Sequence, residues 1–353
     1  MQHPALAHLP TAFFAVAPEL AAFDVPDEHR ATCDSCAVGA PVQALTPDRP
    51  FNQHLRCCTY HPNHTNWMVG RGLRRGGISE ERIRLRLQDP EGVTSVGVAP
   101  TQQWSDRYSS SSNRGFGRDA ALSCPYLLPE QQGCAVWRDR GAVCRTWHCR
   151  YADGPRGLSV WDSVRGVMMS VERRLAAWCI IQGDAPEESE WDDVETMVQW
   201  FISCADAVDK LNPKQAVKMR DKILLSRLAD LQEAVDAHGP ALPDYLGPHI
   251  GEVRHLESGL VRLYGHSALD GESFDPRIFQ LLSRLDGHTR WQDALVTANA
   301  AVPGTPFTPQ LIESLFRRGM LMERDPNAPD PPPGVSNPPN ANTHLPALFT
   351  ELE

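Results

Sequence analysis

The chain has 353 residues, 41% hydrophobic and 22% charged, an ordinary balance for a globular protein long enough for two or three domains. Its formal net charge of -10 argues against a broad nucleic-acid surface, which needs clustered Lys and Arg to displace counterions. It carries no run of about 18 apolar residues, so no transmembrane helix and no membrane partner is expected.

In chain order, residues 1–30 read as an apolar lead-in ending in an acidic turn. Pro10 and Pro18 interrupt any signal-like apolar run, and a cytoplasmic location is expected. Residues 31–157 are irregular and rich in Gly, Pro, Arg and Ser. Within them "NHTNWMVGRGLRRG" and "SEERIRLRLQ" predict helices, the second with Ser79 as a capping residue. "SDRYSSSSNRGFGRDA" predicts a low-complexity loop. Residues 158–250 turn helical. Val160, Val164, Val167, Met168, Val171, Leu175 and Trp178 keep the spacing of one buried face, and Gly183 follows as a stop. Residues 191–237 predict two further helices, broken near Asn212-Pro213. Residues 251–325 predict strand material in "HLESGLVRLYG", three short helices and a last strand in "GMLMER". Asp275-Pro276, Thr289 and Thr308-Pro309 are their start signals. The Pro-rich stretch 326–353 has too little apolar content to fold. The expected class is mainly α: an irregular cysteine-rich metal-binding domain, a helical region and a small winged-helix-like α/β module.

The chemistry-bearing feature is the cysteines. Eight of the ten fall between residues 33 and 149: Cys33, Cys36, Cys57, Cys58, Cys124, Cys134, Cys144 and Cys149. In a reducing compartment a clustered set reads first as metal ligation. The Cys33–Cys36 C-x-x-C step lets two thiolates reach one metal from a single turn. The adjacent Cys57 and Cys58 project in different directions, which suits a polynuclear cluster or two neighbouring metals. Thiolate ligands point to an iron–sulfur cluster, a four-iron, four-sulfur type above all, or to zinc. Arg140 and Arg145, with Arg138 and Arg150, sit among the thiols, where they would offset cluster charge and hydrogen-bond sulfur. The first four sulfurs are expected to converge with part of the later set, and the metal to hold its domain together. Cys179 and Cys204 read as small core residues. His61, His64 and His148 read as surface or supporting residues, with ligation the alternative. Trp67, Trp137, Trp147, Trp161 and Trp178 read as core and cluster shielding. No catalytic Ser-His-Asp or paired-carboxylate set stands out, and the catalytic residues are unknown.

"CDSC", the pair Cys57-Cys58 and the downstream Cys124-Pro125…Leu127, Cys134, Arg140…Cys144-Arg145…Trp147 resemble the YkgJ-type cysteine-cluster proteins, which carry a CxxCxxxCC signature and are described as zinc- or iron-chelating. Twenty residues separate Cys36 from Cys57 where that signature has three, Gly141 replaces a Pro, and Cys149 is additional. A flagellin lysine methylase with a related signature implies an iron–sulfur-containing protein methyltransferase as one alternative, though no S-adenosylmethionine loop is visible in the sequence. A zinc-stapled interaction module without catalysis is the other. Residues 255–324 resemble PqqD-like or winged-helix modules, which implies a peptide or protein partner held there, in redox chemistry or peptide modification.

Overall fold

The computed structural model describes residues 3–28, 52, 54–55, 57–111, 115–128, 130, 133–187, 191, 193–238, 242–265, 271–301 and 303–327. Helices dominate them, and the sheets are small. Among the described residues no helix is long and apolar enough to cross a membrane. The chain divides into two compact units, one of residues 1–25, 38–147 and 160–236, the other of residues 26–37, 148–159 and 237–353. Cys33, Cys36 and the tail beyond residue 327 lie outside the described residues.

In the first unit α1 (Thr11–Val16) is followed by β1 (His64–Thr65), which leads directly into α2 (Asn66–Arg75). Next come α3 (Gly77–Leu87), β2 (Val93–Thr94) and β3 (Gly97–Val98). β3 pairs antiparallel with both β1 and β2. Gly97 sits opposite Thr65 with φ +149°, and a side chain there would collide with the His64 carbonyl. Gly76, not Ser79, stands at the N-terminus of α3; the Ser79 hydroxyl is buried without a hydrogen-bond partner among the described residues. The chain needs a left-handed residue there, and Gly76 supplies it at φ +72°.

The serine-rich stretch expected as a loop instead builds most of α4 (Gln102–Ser111). Composition suggested a loop, but a local aromatic pair favours the helix. Trp104 and Tyr108, four residues apart, stack at 4.8 Å. The hydroxyls of Ser105, Ser110 and Ser111 donate back to carbonyls three or four residues earlier. A short hairpin follows, β4 (Leu127–Leu128) on β5 (Gly133–Cys134), and then α5 (Ala142–Thr146).

α6 (Gly154–Gln182) enters this unit at Val160 and carries its core. Val160, Val164, Val167, Met168, Val171 and Leu175 are all fully buried, as the spacing predicts, while Trp178 is half-buried. Three helices follow rather than two: α7 (Val194–Asp209), α8 (Pro213–Lys218) and α9 (Lys222–Ala237). Asn212 does more than break the run. Its side chain and that of Gln215 form a reciprocal capping box that starts α8. α2 lies so close to α7 that a Cβ on Gly70 would fall 1.8 Å from the Phe201 carbonyl oxygen. Cys179 and Cys204 are buried core residues, the Cys179 Sγ lying 3.5 Å from the Cys204 carbonyl.

In the second unit β6 (Leu246–Pro248) precedes an antiparallel meander of β7 (Glu252–His255), β8 (Val261–Tyr264) and β9 (Glu272–Phe274). α10 (Ile278–Leu282), α11 (Trp291–Ala301) and α12 (Pro309–Arg317) follow, and β10 (Leu321–Glu323) returns to pair with β6. Leu246, Val261, Leu263, Ile278, Leu281, Leu295, Ile312, Leu315 and Leu321 form one apolar core. Thr308 caps α12 through the Leu311 N–H, with Pro309 at the first helical position, as expected. α10 begins later than Asp275-Pro276 implied, because the Asp275 carboxylate first closes a turn by accepting from the Arg277 N–H.

Candidate metal centre

Separate segments of the first unit place five thiols within electrostatic reach of one another. Cys57 and Cys58 follow a turn in which the Cys58 N–H donates to the Leu55 carbonyl at 3.0 Å. The Cys124 N–H donates to the Cys58 carbonyl at 2.8 Å, a backbone link between the adjacent pair and the downstream run. Cys134 sits on β5 opposite Leu127, and Cys144 on α5. All five are half-buried, each keeping some contact with solvent.

The thiols influence one another. Cys57 is held protonated first by its hydrogen bond with Cys58, then by burial. Burial also pushes up Cys124, to which Cys144, Cys134 and Cys57 add. Cys134 is raised by burial too. Cys144 is pushed up to about 12 by burial and by Cys134 and Cys57. The guanidinium of Arg140 opposes the rise at Cys57, Cys134 and Cys144. Arg140 donates to the carbonyls of Trp137 and Cys144 and stacks 3.4 Å over the Trp137 ring. Trp137 is therefore no core residue: it is half-exposed and braces this arginine, whereas Trp67 and Trp161 are buried.

Arg145 is spent differently from the sequence expectation. Its guanidinium donates to the carbonyls of Arg140, Ala5, Ala7 and Arg138, pinning the N-terminal segment. Burial lowers its pKa to about 10. Cys149 and His148 fall in the second unit, where the His148 N–H donates to the Tyr151 hydroxyl.

Several residues of this centre were not singled out by the sequence. Tyr60, held well above the usual phenol range by burial and by Cys144, forms edge contacts with Trp104 and Tyr108. Glu172 is buried on α6, accepts from the Ala142 N–H at 2.8 Å, and burial pushes its pKa up to about 8. Its signal was a carboxylate in register with Met168, Leu175 and Cys179 on the apolar face. His61 and His64, read as surface or supporting residues, are both buried beside Tyr126.

Among the described residues no group of three or more His, Cys, Asp or Glu side chains stands ready to hold a metal ion. As a donor set the five thiols nonetheless suit a soft metal. Burial and mutual repulsion oppose their ionisation, and a cation reverses that balance by stabilising thiolate. Comparison with protein-family models, curated proteins and solved structures finds no match.

Proposed function

We propose that this chain binds a thiolate-held metal centre, an iron–sulfur cluster or zinc, in a cysteine-rich domain of the YkgJ type working in the reducing cytoplasm. The observation that carries it is the backbone bond joining Cys124 to Cys58, with Cys57, Cys124, Cys134 and Cys144 close enough to act on one another and the Arg140 guanidinium acting on Cys57, Cys134 and Cys144. The thiolates hold the centre, Arg140 offsets its negative charge, and Arg145 fixes the strap on which Arg140 and Cys144 lie. When bound, such a centre supplies electron transfer if it is iron–sulfur, or a structural cross-link if it is zinc. The winged-helix-like module at residues 255–324 serves as the dock for a peptide or protein partner. In support, β10 has β6 as its strand neighbour on one side, and among the described residues no strand pairs with its other edge.

The test is purification without oxygen, followed by quantification of iron, zinc and acid-labile sulfide. Stoichiometric metal that falls away in Cys57→Ser and Cys124→Ser supports the reading. Protein that carries no metal, and takes up none when offered zinc or iron with sulfide, refutes it.

A further inference from the structure

Next to the thiols three buried polar atoms have no hydrogen-bond partner among the described residues: the Nε2 atoms of His61 and His64, and the hydroxyl of Tyr126. All three residues are at least nine-tenths buried. Orphaned polar groups are costly, and three on adjoining rings ask for one shared occupant. The His64 ring lies 4.8 Å from that of Tyr126, and the His61 ring 6.2 Å from it.

The two histidines form an H-x-x-H step, His61-Pro62-Asn63-His64, that leads into β1. Gly97 packs against the His64 carbonyl from the neighbouring strand, so the backbone position of His64 is fixed. His61 Nδ1 lies 3.0 Å from the Pro62 carbonyl. A carbonyl only accepts, so Nδ1 carries the proton, and Nε2 is left with a lone pair facing the interior. This carbonyl-braced imidazole is the arrangement that prepares a histidine to bind metal. Burial also keeps both rings neutral, lowering the pKa of His61 to about 4 and of His64 to about 3. The Tyr126 hydroxyl, buried without a partner among the described residues, can donate to a bound water.

We propose that His61 and His64 bind a borderline divalent transition ion, separate from the thiolate centre, with the Tyr126 hydroxyl donating to a water on that ion. Neutral imidazole suits zinc, ferrous iron or cobalt, whereas magnesium and calcium demand oxygen ligands.

The probe is cobalt(II), titrated into the full, reduced, metal-free chain and followed by equilibrium stoichiometry and absorption. Thiolate-bound cobalt gives a near-ultraviolet charge-transfer band, and imidazole-bound cobalt does not. The expected result is that His61→Gln/His64→Gln binds one cobalt fewer than the wild type, with the near-ultraviolet band unchanged. Tyr126→Phe should keep the stoichiometry and bind this ion roughly tenfold more weakly. Equal stoichiometry in wild type and double variant overturns the proposal, since water then satisfies the three atoms. Loss of the near-ultraviolet band in the double variant also overturns it, by placing the imidazoles in the thiolate centre. Should the double variant fail to fold, the two single variants carry the test, each expected to bind the ion roughly tenfold more weakly, and unchanged binding refutes it. The imidazole-bound cobalt is counted whether or not the near-ultraviolet band appears, so failure of the thiolate reading and failure of this one are separable.

Discussion

Replacing Glu172 by glutamine should stabilise the metal-free protein near neutral pH, and the gain should grow with pH. The carboxyl is buried on α6 and titrates at about 8 in the folded chain, against an ordinary value of 4.5. Burial is the main cause, opposed by the Arg145 charge and the Ala142 N–H. The folded state therefore keeps a proton that the unfolded state has lost. Below pH 4.5 both states are protonated and the group contributes no pH dependence. As pH rises from there the unfolded state is increasingly favoured, by about 3 kcal/mol at neutral pH and about 5 kcal/mol above the folded pKa. The amide of a glutamine at this position would keep an acceptor for the Ala142 N–H without a titrating proton. The assay is urea unfolding of reduced, chelator-treated wild type and Glu172→Gln between about pH 5 and about pH 8, where the wild type should lose about 4 kcal/mol relative to the variant. Differencing the two proteins cancels the other titrating groups. Parallel stability profiles would refute the reasoning, because they would mean that the carboxyl is hydrated or already ionised in the folded chain.

Gly70→Ala should lower stability by about 2 kcal/mol or more, despite alanine's better helix propensity, because the new methyl meets the Phe201 carbonyl where α2 touches α7; a raised melting temperature would contradict that close approach. Arg145→Lys should free the segment near Ala5 and Ala7, since one ammonium cannot reproduce a planar fork that reaches four carbonyls. Faster amide exchange confined to residues 3–8 and to the strap around Arg138 would be the sign, and unchanged exchange would count against it.

Local signals were legible where one periodicity governs. The apolar stripe of α6 and the Thr308-Pro309 start of α12 follow from residue spacing and cap chemistry, and the structure keeps both. α4 was hidden because serine composition suggests a loop, while the decisive Trp104–Tyr108 stack depends on a helix already formed. The cysteines stood out in the sequence by residue type and grouping, which marks them as candidate ligands. Their arrangement was not legible, because the bond from the Cys124 N–H to the Cys58 carbonyl joins positions far apart in sequence and is made by backbone, which leaves no mark on residue type. The burial of His61 and His64 was equally silent, as it comes from strand pairing and from the aromatic rings packed around them.

That backbone bond between Cys124 and Cys58 also changes what loading a metal would demand of the chain. Residues 59–123 form a long excursion, and its two ends are already tied by peptide groups rather than by sulfur. The entropy of closing so long a loop is then lost during folding, before any ion arrives. An ion entering at Cys58 and Cys124 would then require no search by the polypeptide. Capture at these two positions would therefore be quick, and a chelator could strip the metal and leave this loop shut, ready to be refilled.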